Sequence, residues 1–298
     1  MINEAYMDIK NIETFIKVAE KNSFTKVALE TNYAQSTITT QIKQLENELG
    51  YPLFDRIGRS VSLTPYGLEF LKTSYRIISE FERAKLLKSE EKNISGELRI
   101  GVIESLLFSE VSKVLADFKN EFKNVDVKIK MGQANDLVDL LRHNFLDIVY
   151  ISAELNYDKD LQCVYKEREN LVFIAASNHQ LSCKNRIAPK NLFSHDFVVT
   201  EHTGICYNRL LKIANENNLS LHASIEVDST IAIADLVSKN LALGFLPEYS
   251  VRDKINSGEI VILDTLFDKQ YYYKQLLCHR SRFLTPFIKR MIEMISNI

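Results

Sequence analysis

A chain of 298 residues with 46% apolar side chains, nine Gly and five Pro can bury two or three cores, and this excludes a disordered or collagen-like protein. Lys and Arg number 37 against 39 Asp and Glu, so there is no bulk positive charge to hold nucleic acid, and any such binding must come from local placement and from paired copies. No run approaches the ~18 apolar residues of a membrane span, and residues 1–6 lack the charged and apolar regions of a signal peptide. A cytoplasmic protein without membrane contact is therefore expected. Cys163, Cys183, Cys206 and Cys278 are far apart and have no metal-ligand spacing, so neither a metal nor another cofactor is expected and buried thiols are the default.

In chain order, Ile9, Ile12, Phe15, Ile16 and Ala19 recur at spacings of three and four, which predicts a helix over about 8–21. Ser23 stands where an N-cap belongs, ahead of a short helix over about 24–31 with Phe24, Val27 and Ala28 facing inward. Asn32, Tyr33 and Ala34 form a turn. In the next helix Ile38, Ile42, Leu45 and Leu49 make one apolar stripe, ended by Gly50. Its exposed positions are then Gln35, Ser36, Thr37, Thr39, Thr40, Gln41 and Lys43, the short donors, acceptors and amides that base edges require. The start of that helix also offers free backbone amides to a phosphate. Residues 56–63 read as a small hairpin turning at Gly58, with Arg56 and Arg59 exposed. The order of helix, turn, helix and hairpin describes a winged helix-turn-helix that reads double-stranded DNA; the competing reading is the solvated face of an ordinary core helix.

Here the chain resembles the LysR-type transcriptional regulators, in Phe15, Val18-Ala19, Ser23-Phe24, Ala28, Ala34-Gln35, Ile38-Thr39, Gln41-Ile42, Leu45-Glu46, Leu49-Gly50, Leu53-Phe54, Arg56, Leu63-Thr64 and Gly67. It departs from the family pattern at Val27, Thr31 and Ser36, where alanine, leucine and proline are usual. The resemblance implies an α/β protein with an all-α winged helix-turn-helix head at 1–66, a linker and dimerisation helix at 67–92, and an effector-binding domain at 93–298. That domain would be two-lobed, like periplasmic binding proteins, with lobe I at about 97–168 and 270–298 and lobe II at about 169–269. It also implies DNA contacts from Gln35, Ser36, Thr39, Thr40 and Lys43, backbone contacts from Arg56 and Arg59, assembly as a homodimer or homotetramer, and RNA polymerase as a partner at the promoter. Thr40 is the position expected to set sequence preference.

Thr64 and Pro65 suit the first positions of the linker helix. Along it, Leu68, Leu71, Tyr75 and Ile78, with Phe70, Ser74, Ile77, Phe81 and Ala84 beside them, make more apolar surface than a lone helix exposes. Asn93, Ser95 and Gly96 break it. Strands are then expected at 98–102, 125–131, 147–151, 171–175, 197–200, 223–227, 260–263 and 271–277, separated by helices at 106–122, 135–145, 207–217, 230–238 and 285–298. This alternation predicts a mostly parallel sheet. Asn240 to Pro247 resembles the family's glycine-rich strand before proline.

Ligands of open α/β sheets sit beyond the carboxyl ends of strands. That rule points to the loop Glu104-Ser105, to Gln133, to Thr200 through Thr203 and Gly204, and to Ser229-Thr230. Hydroxyls, an amide and helix starts there suit a small anionic effector, each residue having a plain helix cap as its competing reading. Cys206 lies where the peroxide-sensing branch of the family is similar, and a helix start would lower its pKa. No second cysteine occurs between Tyr207 and Leu221. Two alternatives to effector control stay open: a thiol-based response through Cys206, and an architectural DNA-binding protein with a vestigial cleft. No nucleophile elbow, phosphate loop, metal spacing or dinucleotide fingerprint supports an enzyme.

Overall fold

The computed structural model describes residues 7–57, 60–86, 94–155, 158–201 and 204–298. The chain divides into two compact units, Met1–Gly96 with Arg142–Phe145, and Glu97–Leu141 with Leu146–Ile298.

In the first unit, α1 (Ile9–Lys21) is capped by Asp8, whose side chain accepts from Lys10 N, and α2 (Phe24–Thr31) by Ser23, which accepts from Lys26 N. Both helices end on an asparagine in the left-handed region, Asn22 at φ 48° and Asn32 at φ 56°. The family departures are accommodated: Val27 is fully buried, and Thr31 Oγ1 donates to Val27 O at 2.7 Å at the helix end. Helix α3 (Gln35–Leu49) buries Ile38, Ile42 and Leu45 completely. Strands β1 (Phe54–Ile57) and β2 (Ser60–Leu63) pair antiparallel, Phe54 opposite Leu63. Glu46 of α3 accepts from Leu53 N at 2.8 Å, which fixes the entry to this hairpin.

Helix α4 (Pro65–Leu86) corrects the expectation that its apolar stripe awaits a partner as a whole. Phe70, Leu71 and Tyr75 are buried in the core of the same unit; the Phe70 ring lies 5.1 Å from Phe15, and Tyr75 Oη donates to Glu20 Oε1 at 2.7 Å. Leu68 stays exposed. Thr64 Oγ1 donates to Pro52 O and accepts from Gly67 N, so one hydroxyl ties the hairpin exit to the helix start. Gly67 sits so close to Leu53 O that any Cβ would collide with that backbone oxygen.

The second unit holds β3 (Gly96–Val102), α5 (Glu104–Leu106), a π-helical turn (Leu107–Val111), α6 (Ser112–Glu121), β4 (Val125–Met131), α7 (Ala134–Arg142), β5 (Ile148–Ala153) and β6 (Leu161–Ala176). Then come α8 (Pro189–Leu192), β7 (Phe197–Val199), α9 (Ile205–Glu216), β8 (Ala223–Glu226), α10 (Thr230–Ser238), β9 (Gly244–Pro247), α11 (Glu248–Asn256), β10 (Ile260–Ile262), β11 (Gln270–His279) and α12 (Pro286–Ser296). Strand order in the main sheet is β10-β6-β11-β5-β3-β4, with β9 also on β6. The sheet is mixed, not mostly parallel: β3 and β5 run parallel, whereas β11 pairs antiparallel with both β5 and β6. The cause is β6, a 16-residue strand that crosses from one lobe to the other beside β11. Its middle, Lys166 to Asn170, reads as a break in the sequence because five consecutive residues are polar. The strand continues because β11 pairs with it and answers its charges, Lys274 standing opposite Glu167.

One lobe packs around Leu137, Leu141, Val149 and Ile151. The other has two cores, one around Phe173, Phe197 and Phe245 and one around Ile174, Ile233 and Val237. Among the described residues, no helix is long and apolar enough to cross a membrane.

Replacing Gly67 by Ala should destabilise the first unit by about 1–3 kcal/mol, because the added methyl meets backbone and not a movable side chain. Urea unfolding followed by circular dichroism should show the loss, with the transition of the second unit unmoved.

Candidate functional site

Two surfaces concentrate polar groups. The first is the outer face of α3, where Gln35, Ser36, Thr37, Thr40 and Lys43 are exposed and Thr39 is half-buried. The apolar stripe forces this arrangement, since Ile38, Ile42 and Leu45 point into the core. Thr39 Oγ1 donates to Gln35 O and Thr40 Oγ1 to Ser36 O, each at 2.9 Å. With their hydroxyl protons spent on the helix, both residues face outward as acceptors and methyl groups. Gln35 Oε1 accepts from Thr25 Oγ1 at 3.2 Å, which links the start of α3 to α2. Gln41 differs from expectation: it is half-buried, and its Oε1 accepts from Thr14 Oγ1 of α1 at 3.0 Å. That hydrogen bond makes Gln41 a brace between α1 and α3. Arg56 lies on β1 opposite Val61, and Arg59 lies outside the described residues.

The second surface lines a cavity of about 460 Å³ in the second unit. Ser105, Gln133, Thr200, Gly204, Ser229 and Thr230 all line it, and Thr203 lies outside the described residues. The carboxyl ends of strands therefore do bring these loops together. Their hydrogen bonds are less free than the sequence implied. Ser229 caps α10, accepting from Ala232 N, and also donates to Glu104 Oε1 at 3.0 Å. Thr230 N donates to Glu104 Oε2 at 3.0 Å. The carboxylate of Glu104 thus occupies the helix start where an effector anion was expected. Ser105 is buried with its hydroxyl on Tyr249 Oη at 2.8 Å. The Gln133 amide donates to Glu201 and, at 3.3 Å, to Asp228 Oδ1. Gly204 fits only without a side chain, since a Cβ would collide with Thr200 Oγ1. That oxygen is shielded from solvent and has no hydrogen-bond partner among the described residues.

Sequence reasoning missed Glu201, Asp228, Asp136, Tyr249 and Tyr272, which also line the cavity. A signal existed for the first two, which lie inside or beside the loops already singled out. Tyr249 gives none, because it reaches the cavity only through the fold of α11. Beneath the cavity, Lys274 is buried and bridges Glu110 and Glu167 at 2.7 Å each, with Glu169 at 3.9 Å. Burial works to lower the Lys274 pKa, but the hydrogen bonds to Glu110 and Glu167 outweigh it and hold it above the ordinary value. Burial likewise raises Glu169. Tyr150 Oη donates to Glu110 Oε2 at 2.5 Å; burial first, then that carboxylate, keeps the phenol well above its usual range.

Cys206, at the start of α9, also lines the cavity. Contrary to the expected lowering at a helix start, burial pushes its thiol up to about 12, because the sulfur rests on the apolar core around Phe173 and Phe197.

Residues 9–68 match the bacterial regulatory helix-turn-helix protein of the lysR family, and residues 91–297 match the LysR substrate binding domain. The HTH-type transcriptional regulator YwqM of Bacillus subtilis is 31% identical over 97% of this chain and 98% of its own. Among solved structures, a full-length OxyR variant from Pseudomonas aeruginosa shares the fold at a TM-score of 0.77 and 18% identity, covering 98% of this chain and 94% of that one. Full-length CbnR, solved with its target DNA, shares it at 0.53 and 16%, covering 97% and 99%. The chain belongs to the LysR family of transcriptional regulators, with a helix-turn-helix and an effector-binding domain.

Two outcomes are expected at this site. Lys274→Met should destabilise the second unit by about 3–5 kcal/mol, since it removes the buried cation that bridges Glu110 and Glu167 and leaves their carboxylates without it, and thermal unfolding of the full chain reads that loss. Burial that raises the Cys206 thiol leaves little of the reactive thiolate near neutral pH. Alkylation of Cys206, followed by mass spectrometry on the native chain between pH 7 and 9, should accordingly run at least roughly tenfold slower than that of the exposed Cys183.

Proposed function

We propose that the chain is a sequence-specific reader of promoter DNA controlled by a small molecule bound in the cavity of its second unit. The observation that carries this reading is the outer face of α3, where every exposed side chain from Gln35 to Lys43 is a hydrogen-bonding group or a cation, above three fully buried apolar residues. Gln35, Ser36, Thr37, Thr39 and Thr40 contact base edges, and Lys43 contacts phosphate, with Arg56 and Arg59 gripping the backbone from the hairpin. Gln41 holds α3 at its angle. In this reading the head spans 1–66, the linker helix 67–92 and the effector domain 93–298, its lobes at about 97–168 with 270–298 and at about 169–269. Two or four copies associate through the linker helix, to which the exposed Leu68 belongs. Paired heads compensate for the near-neutral charge of the chain, because each copy adds its own phosphate contacts. CbnR bound to its target DNA supports the DNA partner by likeness of fold. RNA polymerase is the partner at the promoter, the protein is cytoplasmic, and it regulates without catalysing a reaction.

Footprinting on DNA flanking its own gene tests the reading. Protection of half-sites about one helical turn apart is expected. Thr40→Ala should cost about 1–3 kcal/mol at one operator position, whereas Lys43→Ala should weaken all sequences alike and lower the salt slope by about one. An unchanged footprint in both variants would remove α3 as the reading element.

A further inference from the structure

We propose that the cavity recognises its effector through a protonated amine, with Glu201 and Asp228 as the receiving carboxylates. This rests on the reading of the cavity as the effector site and names the chemistry of the ligand.

Four observations converge on it. First, the anion-binding position at the start of α10 is already filled from within the chain, by Glu104 on Ser229 Oγ and Thr230 N. A carboxylate or phosphate ligand would have to displace that group and leave Glu104 unpaired beside it. Second, the wall carries Glu104, Asp136, Glu201 and Asp228, and no Lys, Arg or His is among the described residues that line it. Third, Glu201 and Asp228 are held together by one neutral group, the Gln133 amide, which gives a hydrogen bond to each. An ammonium group offers three donors and a positive charge to the same two carboxylates. Thr200, on the same wall, has its Oγ1 shielded from solvent and without a hydrogen-bond partner among the described residues. Fourth, carboxylates outnumber cations beneath it: behind Ser105 and Tyr249, Glu110, Glu167 and Glu169 gather around Lys274, with Arg252 acting on Glu167 and Glu169 as well.

Tyr249 and Tyr272 also line the cavity, and each ring already faces a cation of the protein, Lys274 5.6 Å from the Tyr249 centroid and Arg209 5.1 Å from that of Tyr272. The described residues contain no grouping of His, Cys, Asp and Glu suited to a metal ion. A volume of about 460 Å³ fits a small molecule.

The test titrates the full chain with putrescine, a four-carbon diamine, and with succinate, its carbon-matched dicarboxylate, by calorimetry and thermal unfolding at fixed ionic strength. Putrescine should bind saturably and raise the melting temperature of the second unit by mass action, and its Kd should rise tenfold or more in Glu201→Gln and in Asp228→Asn. Both side chains are polar wall residues outside the apolar cores, and a melt of each variant without ligand verifies its fold. Binding of succinate but not putrescine would overturn the amine assignment and leave the effector reading standing. Putrescine affinity unchanged in both variants would also overturn it, by placing the diamine elsewhere on the surface. Should neither compound bind nor alter the DNA footprint, both the assignment and the effector reading would fall.

Discussion

The ion cluster at Lys274 is the constraint on which the second unit depends. Two long strands, β6 and β11, must run side by side between the lobes, and the stretch of β6 that makes the crossing carries Glu167, Arg168 and Glu169 in succession. Charges on a shared strand segment are tolerated only if each has a partner within the fold. Lys274 of β11 supplies one for Glu167 and Glu169, and also for Glu110 in the π-helical turn. Arg168 lies over the ring of Tyr271, 3.6 Å from its centroid. One buried amine thereby joins both crossing strands to the turn that follows the first strand of the domain. An apolar crossing would be at least as stable, so stability alone does not account for a polar one. What the cluster adds is a fixed register between β6 and β11, since a slip by one residue would turn Glu167 and Glu169 to the opposite face from Lys274.

The same cluster sets the electrostatics of the cavity above it. Ser105 and Tyr249 stand between the two, hydrogen-bonded to each other, and the Tyr249 backbone amide donates to Glu169 Oε1 at 3.2 Å. The cavity wall therefore has a continuous polar connection to the crossing strands. Any group bound against Tyr249 touches a residue whose backbone is tied to Glu169 of β6. The lobes are also linked by shorter routes, Glu104 to α10 and Gln133 to Glu201 and Asp228. Both routes are hydrogen bonds between polar groups, the kind of contact that a polar ligand can replace.

Much of this was legible in the sequence, and the failures share a cause. The head was readable almost residue by residue, because its core is built from helical stripes of short period and its caps are local: Ser23, Thr64 and Gly50 each act within a few residues. The linker helix was misjudged in part because Phe70, Leu71 and Tyr75 belong to two possible stripes, and only tertiary packing shows that the head claims them. The loops of the cavity were found by a rule about strand ends, and the structure brings those described together. Which donors in them stay free was not legible. Glu104 and Ser229 are 125 residues apart and Gln133 and Asp228 are 95, and no local pattern announces such pairings. Strand β6 failed for the same reason, its polar middle being intelligible only beside Lys274.

Coupling between effector and DNA requires that the ligand bind two arrangements with different affinity. The hydrogen bonds across the cavity define what those arrangements exchange. In the structure a neutral amide from one lobe, Gln133, holds two carboxylates of the other, and a carboxylate from the first lobe, Glu104, holds a helix start of the second. The two links are opposite in polarity. An ammonium ligand competes with the first and leaves the second intact, so it reorganises the Gln133 side of the cavity while Glu104 keeps the lobes in contact. An anionic ligand would do the reverse and would expose Glu104 to three other wall carboxylates. The wall therefore discriminates by repulsion as well as by attraction, which is how a site of this size achieves specificity among metabolites of similar shape.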